Sequence, residues 1–466
     1  MPLPTPAAPL AADRFAAHVL GSAYQDLSAD AVAQAKIFIL DTIGVGIAGS
    51  TALGANELLR SAIGWGNLDQ AAIWGRGERV PASVAAMVNG FQVHCQEYDC
   101  LSEAAVLHPL ATLLPAALAV AEAQGAVTGG VSGQDLITAV AVGTDVSIGL
   151  GVASKVGLRF FRPATAGGFG AVAAVGRLMR LSHAQMVAAF GLQYAQSSGT
   201  MQSHVEGSIA LPLQIGFNTR AAVQAVDLVR AGLDGPRDVF EGPFGFLRLF
   251  EGDWDLAPVL ASLGRRWRIA ELSHKPYPSG RATHGGVEGL LSLMADHKFT
   301  AEDVERVRVI GPPLIHALCG RPPRPDPAPS YARLCMPFVG AKVLQHGLID
   351  LAHYRGSALT DPDTYALANK IVMEPDGATD PNALAPQRVV VRLADGREFA
   401  WRCDAMLAHP TRRLSREQHL AKFRRCWSFA HAPLSEAARE RVIALVDELE
   451  TVADVREIIR LVVPSA

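Results

Sequence analysis

The chain has 466 residues, of which 49% are hydrophobic and 19% charged, with a formal net charge of −3. That length holds two or more domains around a large core, and so apolar a composition excludes a disordered chain. The near-neutral charge gives no electrostatic reason to expect nucleic acid or an anionic membrane as a partner.

From Ala11 to about Ala270 the pattern is helical almost throughout. Ala31–Leu40 leads into Asp41-Thr-Ile-Gly-Val-Gly-Ile-Ala-Gly-Ser50, where recurring glycines let helix backbones approach closely. No strand precedes this run and no acidic residue follows at the spacing of a dinucleotide fold, so a phosphate loop is not expected there. Further helices are predicted over Pro81–His94, Pro109–Gln124, Gly133–Gly151, Ala164–Met179, Ser182–Gln196 and Ile215–Ala231. The last of these stops at Gly232-Leu-Asp-Gly-Pro236. After about Arg268 the period changes: Val304–Ile310 alternates apolar and charged residues as a half-buried strand does, and Ile371–Met373 is a further short strand. Arg388–Leu393 and Arg397–Trp401 flank the hairpin signal Ala394-Asp395-Gly396, and proline-rich Arg321–Pro329 is a loop. From Ser415 helices return, with a capping box at Ser415–Gln418 and an amphipathic stretch over Leu434–Glu450.

The predicted architecture is mainly α with a smaller α+β lid domain: a helical domain over 1–270, the lid over 271–407, and helices over 408–466 that rejoin the first domain. Helices rich in Ala, Gly and Leu leave more apolar surface than one subunit can hide, which predicts a homodimer. No segment reads as membrane-spanning, because the longest apolar stretches, such as Pro109 to Ala121, stop short of the ~20 residues required. The start MPLPTPAAPLAADRF lacks the basic residues of a signal peptide, and the six cysteines (95, 100, 319, 335, 403, 426) form no disulfide framework. A cytoplasmic protein with reduced cysteines is expected.

Polar residues cluster in a few segments. Lys275-Pro-Tyr-Pro-Ser-Gly-Arg-Ala-Thr-His284 gathers Lys275, Tyr277, Arg281 and His284 around two prolines and a glycine, ahead of an apolar helical run. A helix starting near Arg281 would put Arg281, His284 and Glu288 on one face, and its N-terminus would favour a carboxylate. The plainer alternative is a loop entering a helix with solvated basic groups. Asn89 to Pro109 sets His94, Glu97, Asp99 and His108 between two apolar helices. The Cys95-x4-Cys100 spacing lacks a second cysteine pair, so no metal is expected. Arg162 precedes a proline-initiated, glycine-rich helix, another place that welcomes an anion. Met201-Gln202-Ser203-His204 is a fourth patch, whose His204 reads as solvated. With no nucleophile elbow, P-loop or zinc-protease motif, this set suits proton transfer beside a carboxylate-bearing carbon.

Several of these segments, taken in order, resemble the MmgE/PrpD family. They are Ile39-Leu-Asp-Thr-Ile-Gly44, Asn89-Gly90 through His94 to His108-Pro109, Pro163 to Gly170, Phe240-Glu-Gly242 with Gly245-Phe246, Lys275-Pro-Tyr-Pro278 with Thr283-His284, and Leu414-Ser415-Arg416-Glu417. The resemblance implies a helical domain with an α+β lid, a homodimer, an interdomain cleft, and chemistry on small carboxylates without metal or organic cofactor. Known members dehydrate 2-methylcitrate, decarboxylate cis-aconitate or epimerise iminodisuccinate. Glu97 matches the family's aspartate, His108 its second histidine with a one-residue shift, and Lys275 its lid lysine. Arg162, Leu211, Gly280 and Phe338 stand where the decarboxylase branch has a histidine, a lysine, a histidine and a tyrosine. Those departures turn the expectation away from cis-aconitate decarboxylation and towards an isomerase or epimerase of a small di- or tricarboxylate. In that reading Lys275, His284 and His108 move the proton, while His94, Glu97, Asp99, Arg162, Tyr277 and Arg281 bind the substrate. A hydro-lyase, with Tyr277 or a histidine protonating the leaving hydroxyl, and a non-catalytic small-acid binding protein are the alternatives.

Overall fold

Small residues set how closely the first half of the chain packs. In the computed structural model, which describes residues 9–464, helices Ala29–Gly49, Ala82–His94, Pro109–Thr128, Gly133–Val152, Arg162–Leu178 and Ala210–Arg230 pack on one another. A Cβ at Gly49 would lie 1.9 Å from the carbonyl oxygen of Gln92, so only glycine lets these two backbones touch. The glycine run after Asp41 therefore continues the Ala29–Gly49 helix to its end, against Trp74, Phe423 and the Ala82–His94 helix.

The expectation that no apolar stretch reaches spanning length does not hold. Ala29–Gly49 and Gly133–Val152, of 21 and 20 residues, are long and apolar enough to cross a membrane by length and composition. The most apolar windows of the two are 78% and 89% buried inside the protein, so core packing accounts for their composition. The N-terminal residues 1–8, on which part of the signal-peptide reading rests, lie outside the described residues.

The α+β part is built on a four-stranded sheet with the spatial order Ile371–Pro375, Val304–Gly311, Gln387–Leu393, Glu398–Cys403. The first pair is parallel (Val307 beside Ile371) and the other two are antiparallel (Val309 beside Val389, Val389 beside Trp401). The His284–His297 helix lies on this sheet, with Gly289 at Val389 and Trp401. Helices Pro313–Cys319, Met336–His346 and Pro362–Ala368 complete this part and were not evident in the sequence pattern. Each carries proline in its first turn, a residue that reads equally as a loop signal.

The C-terminal helices return to the beginning of the chain. Arg416–Trp427, which starts with the Ser415–Gln418 capping box, and Glu436–Asp447 pack on Ala29–Gly49, and Arg456–Leu461 packs on Pro109–Thr128. Lys422 Nζ sits 2.7 Å from Asp41 Oδ1 and donates to the Tyr98 carbonyl at 2.7 Å. The fold is mainly α with a smaller α+β part, in two domains.

Candidate active site

The Ala82–His94 helix delivers His94 at its last residue, and the chain then turns through Glu97 with a left-handed φ of 50°. That conformation is unfavourable for a residue with a side chain and needs support from its surroundings. Lys275 supplies it, donating to the Glu97 carbonyl at 3.2 Å and to Oε2 at 2.8 Å. Asp99 follows and joins two imidazoles. His94 Nδ1 hydrogen-bonds Asp99 at 3.0 Å to Oδ2 and 3.3 Å to Oδ1. His108, held just before the Pro109–Thr128 helix, brings Nδ1 to 3.0 Å from the same Oδ2, at an angle short of a hydrogen bond. The two rings meet edge to face with centroids 4.9 Å apart.

A cavity of about 60 Å³ opens at this triad, between the helical and α+β parts. His94, Glu97, His108, Phe161, Pro163, Met201 and His204 form one wall, and Gly280, Arg281, Leu318, Cys319, Leu334 and Leu384 face them. Apart from the histidines, Glu97 and Arg281, the lining is nearly all apolar. At Gly280 a Cβ would come within 2.7 Å of Leu334 and 2.9 Å of Cys319 Sγ, so a larger residue there would close the space.

The sequence-predicted residues divide into those that reach this cavity and those that do not. His94, Glu97, His108 and Arg281 line it, and Asp99 stands directly behind the two histidines. Lys275 is fully buried beneath Glu97 rather than in the lining. His284 is buried with both ring nitrogens engaged: Nδ1 accepts from Arg281 Nη1 at 3.3 Å and Nε2 donates to the Ser279 carbonyl at 3.2 Å. A 3-10 turn over Arg281–Thr283 precedes the α-helix, which begins at His284. Tyr277 is half-buried and rests edge-on against His284, with centroids 5.2 Å apart.

Arg162 departs most from expectation. It pairs with Glu251 at 3.0 Å and donates to Ser154 and to the carbonyls of Ala105 and Val156. Its neighbours Phe161 and Pro163 face the cavity, but its guanidinium turns away to compensate a buried carboxylate and does not line the site. Leu211 and Phe338 are buried outside the lining as well, so among the four departures from the decarboxylase pattern only Gly280 touches the cavity. Arg281 is itself held by Glu103 at 2.9 Å and by the Leu407 carbonyl at 2.8 Å, a partnership not foreseen from sequence. His204, read as solvated, is buried and lines the cavity.

Burial disfavours charge on every group here, and the neighbours decide which groups keep it. For Asp99, the two histidines overcome burial and hold the carboxyl well below its ordinary range. Burial would raise Glu97, but Lys275, His94 and His108 bring it down to about 2. His94 is opposed by burial, yet the Asp99 and Glu97 carboxylates raise its pKa above the usual imidazole value. His108 goes the other way: burial outweighs Asp99 and lowers it. One imidazole of the pair is thus favoured charged and the other neutral.

Among the described residues, two groups of three bring possible metal-binding atoms within 4.8 Å of one another: His94, Asp99 and His108, and Asp41, His274 and His419. In the second, Lys422 already occupies the Asp41 carboxylate, and a cation there would face that ammonium. In the first, the Lys275 ammonium is close enough to oppose charge on both histidines.

Comparison with known proteins covers almost the whole chain. The family model of the MmgE/PrpD N-terminal domain matches residues 13–259, and that of the C-terminal domain matches residues 277–450. Human cis-aconitate decarboxylase is 26% identical over 459 residues, covering 95% of this chain and 92% of that protein. The cis-aconitate decarboxylase-like protein oryM of Aspergillus oryzae is 26% identical over 457 residues, 94% of each chain. The mouse cis-aconitate decarboxylase is 25% identical over 464 residues, 96% of this chain and 92% of its own.

Proposed function

Because the chain belongs to the MmgE/PrpD family, we propose that it is a cofactor-independent lyase that moves a proton at a carbon beside a carboxylate of a small acid. The observation that carries this reading is the Asp99-bridged pair of histidines at an otherwise apolar cavity between the two domains. Environments that push two titratable groups apart mark the acid and the base. His108, favoured neutral, is the base that takes the proton. His94, favoured charged, is the acid that faces the developing negative oxygen or the leaving group. Asp99 orients both rings, and Lys275 fixes Glu97 and the turn that carries it.

Decarboxylase relatives over nearly the full length support a lyase. The apolar lining and the engagement of Arg162 and Arg281 by carboxylates favour a substrate with an apolar portion and few carboxylates. Isomerisation is the second reading, favoured by His204 and His94 lining the same cavity, within range of each other's charge.

Proton and carbon NMR in deuterium oxide, with cis-aconitate, 2-methylcitrate and simpler unsaturated and hydroxy acids, tests the proposal. A lyase changes the carbon skeleton or forms or consumes an alkene. Deuterium uptake with every other atom retained would replace the lyase reading by the isomerase one. Thermal stabilisation by an acid with no turnover of it would reject both.

A further inference from the structure

We propose that His204 is a hydrogen-bond donor to the substrate's carboxylate or developing enolate oxygen, and that Arg321 across the cleft fixes the ring tautomer this requires. The inference rests on the reading of the cavity as the substrate site.

His204 lies on the short Gln202–Glu206 helix of the helical part, is 6% exposed, and lines the cavity with His94 and Glu97. Its Nδ1 is 3.2 Å from Arg321 Nη2. A guanidinium has only donors, so Nδ1 must be the acceptor and the neutral ring carries its proton on Nε2. Burial and the Arg321 charge bring the second protonation down to about 4, so the ring remains a neutral donor near pH 7. Arg321 is itself positioned by the Leu318 carbonyl at 3.2 Å and by the Tyr331 ring, 4.9 Å from its guanidinium carbon. His204 falls within the N-terminal family segment and Arg321 within the C-terminal one, so the contact spans the two domains. The apposition of the two domains around the cavity thus also sets the Nε2 proton of His204. A preformed donor aimed at an oxygen that gains charge accelerates a reaction by about 10²–10³-fold. No bond is made or broken at His204.

The test has a ligand-free arm and a kinetic arm, both on the full-length protein. Long-range proton–nitrogen NMR at pH 7, with ¹⁵N-labelled histidine rings and His204 assigned through His204→Gln, should show Nε2 protonated and Nδ1 bare. In Arg321→Met that preference should weaken. On a substrate from the NMR screen, His204→Phe should lower kcat about 10²-fold, with His204→Gln, which keeps a donor, retaining more of it. Arg321→Met combined with His204→Phe should be no slower than His204→Phe alone. A ring protonated on Nδ1 at pH 7 overturns the inference, whatever the enzyme turns over. So does an unchanged kcat in both His204→Phe and His204→Gln while His108→Ala is inactive. Absence of turnover in the unsubstituted protein would count against the lyase reading, and a ring protonated on Nδ1 would overturn the inference separately.

Discussion

At the residue scale, one carboxylate governs two imidazoles. Asp99→Asn removes the larger of the two carboxylate charges that raise His94 and leaves Glu97 alone against burial and Lys275, so the His94 titration should move down. Turnover should drop on the order of 10²-fold or more, because the pair loses its acid. Imidazole NMR titration and steady-state rates check both; an unmoved His94 midpoint would show that Asp99 does not set it. Arg162 behaves oppositely. Arg162→Met strands Glu251 in the core and should cost about 3–5 kcal/mol of stability. Adding Glu251→Leu should restore most of it, as urea denaturation would show. The sequence marked Arg162 as an anion site because it opens a proline-initiated helix. Its carboxylate is 89 residues away, and no local pattern announces so distant a partner. His204 was passed over for the same reason: its partner Arg321 is 117 residues distant, in a loop. His94, Glu97, Asp99 and His108 were readable because they lie within fifteen residues of chain between two strongly apolar helices.

At the element scale, helices with a regular apolar pattern and a cap were legible. Pro109, the Ser415 capping box and the Asp395-Gly396 turn each start or join an element where the pattern puts it. The glycine run after Asp41 was less legible, since whether glycines bend a helix or admit a neighbour depends on the neighbour. Here they admit one. Gly49→Ala would push a methyl group to 1.9 Å from a backbone oxygen of the helix that carries His94. It should cost about 1–3 kcal/mol or more, read as a lower melting temperature, and should displace the triad enough to reduce turnover. A variant as stable as the parent would mean the two helices can separate at no cost.

At the scale of the whole molecule, buried histidines govern acid stability. His108, His204, His274, His284 and His419 all have pKa values lowered by burial, to about 4 for His204 and about 3 for His419. The unfolded chain takes up protons at these positions below about pH 6.5, whereas the native state does not until lower pH. Stability therefore falls as pH drops below that value, by up to about 1.4 kcal/mol per unit each for His204 and His419, whose native values lie far below it. Asp41 and Glu97, lowered to about 2, keep their contributions until the pH approaches 4. His94, raised, stabilises in the opposite sense, its contribution being lost as pH rises through its native value. Thermal melts should thus decline between pH 6.5 and 5, before carboxylates protonate; a flat profile to pH 5 would contradict it. Self-association remains the other prediction at this scale. Leu53, Trp65, Ile209 and Phe217 are exposed, with Ile209 beside Gly54 and Arg220 over both Phe217 and Trp65. Sedimentation should report a dimer at micromolar concentration, and a 49.3 kDa species would reject it.

Lys422 joins the Tyr98 carbonyl and Asp41 from 324 residues downstream of Tyr98. A ribosome adding about 5–20 residues per second needs roughly 16–65 s to cover that distance. Throughout that time the nascent chain carries His94, Asp99 and His108 without the cation that braces the segment between them. The face of the Ala29–Gly49 helix that the Arg416–Trp427 helix covers is likewise without that partner until then. Translation order thus makes the braced segment late: the helix that carries His94 waits for the Arg416–Trp427 helix, and Tyr98 gains its cation only once that helix has been made.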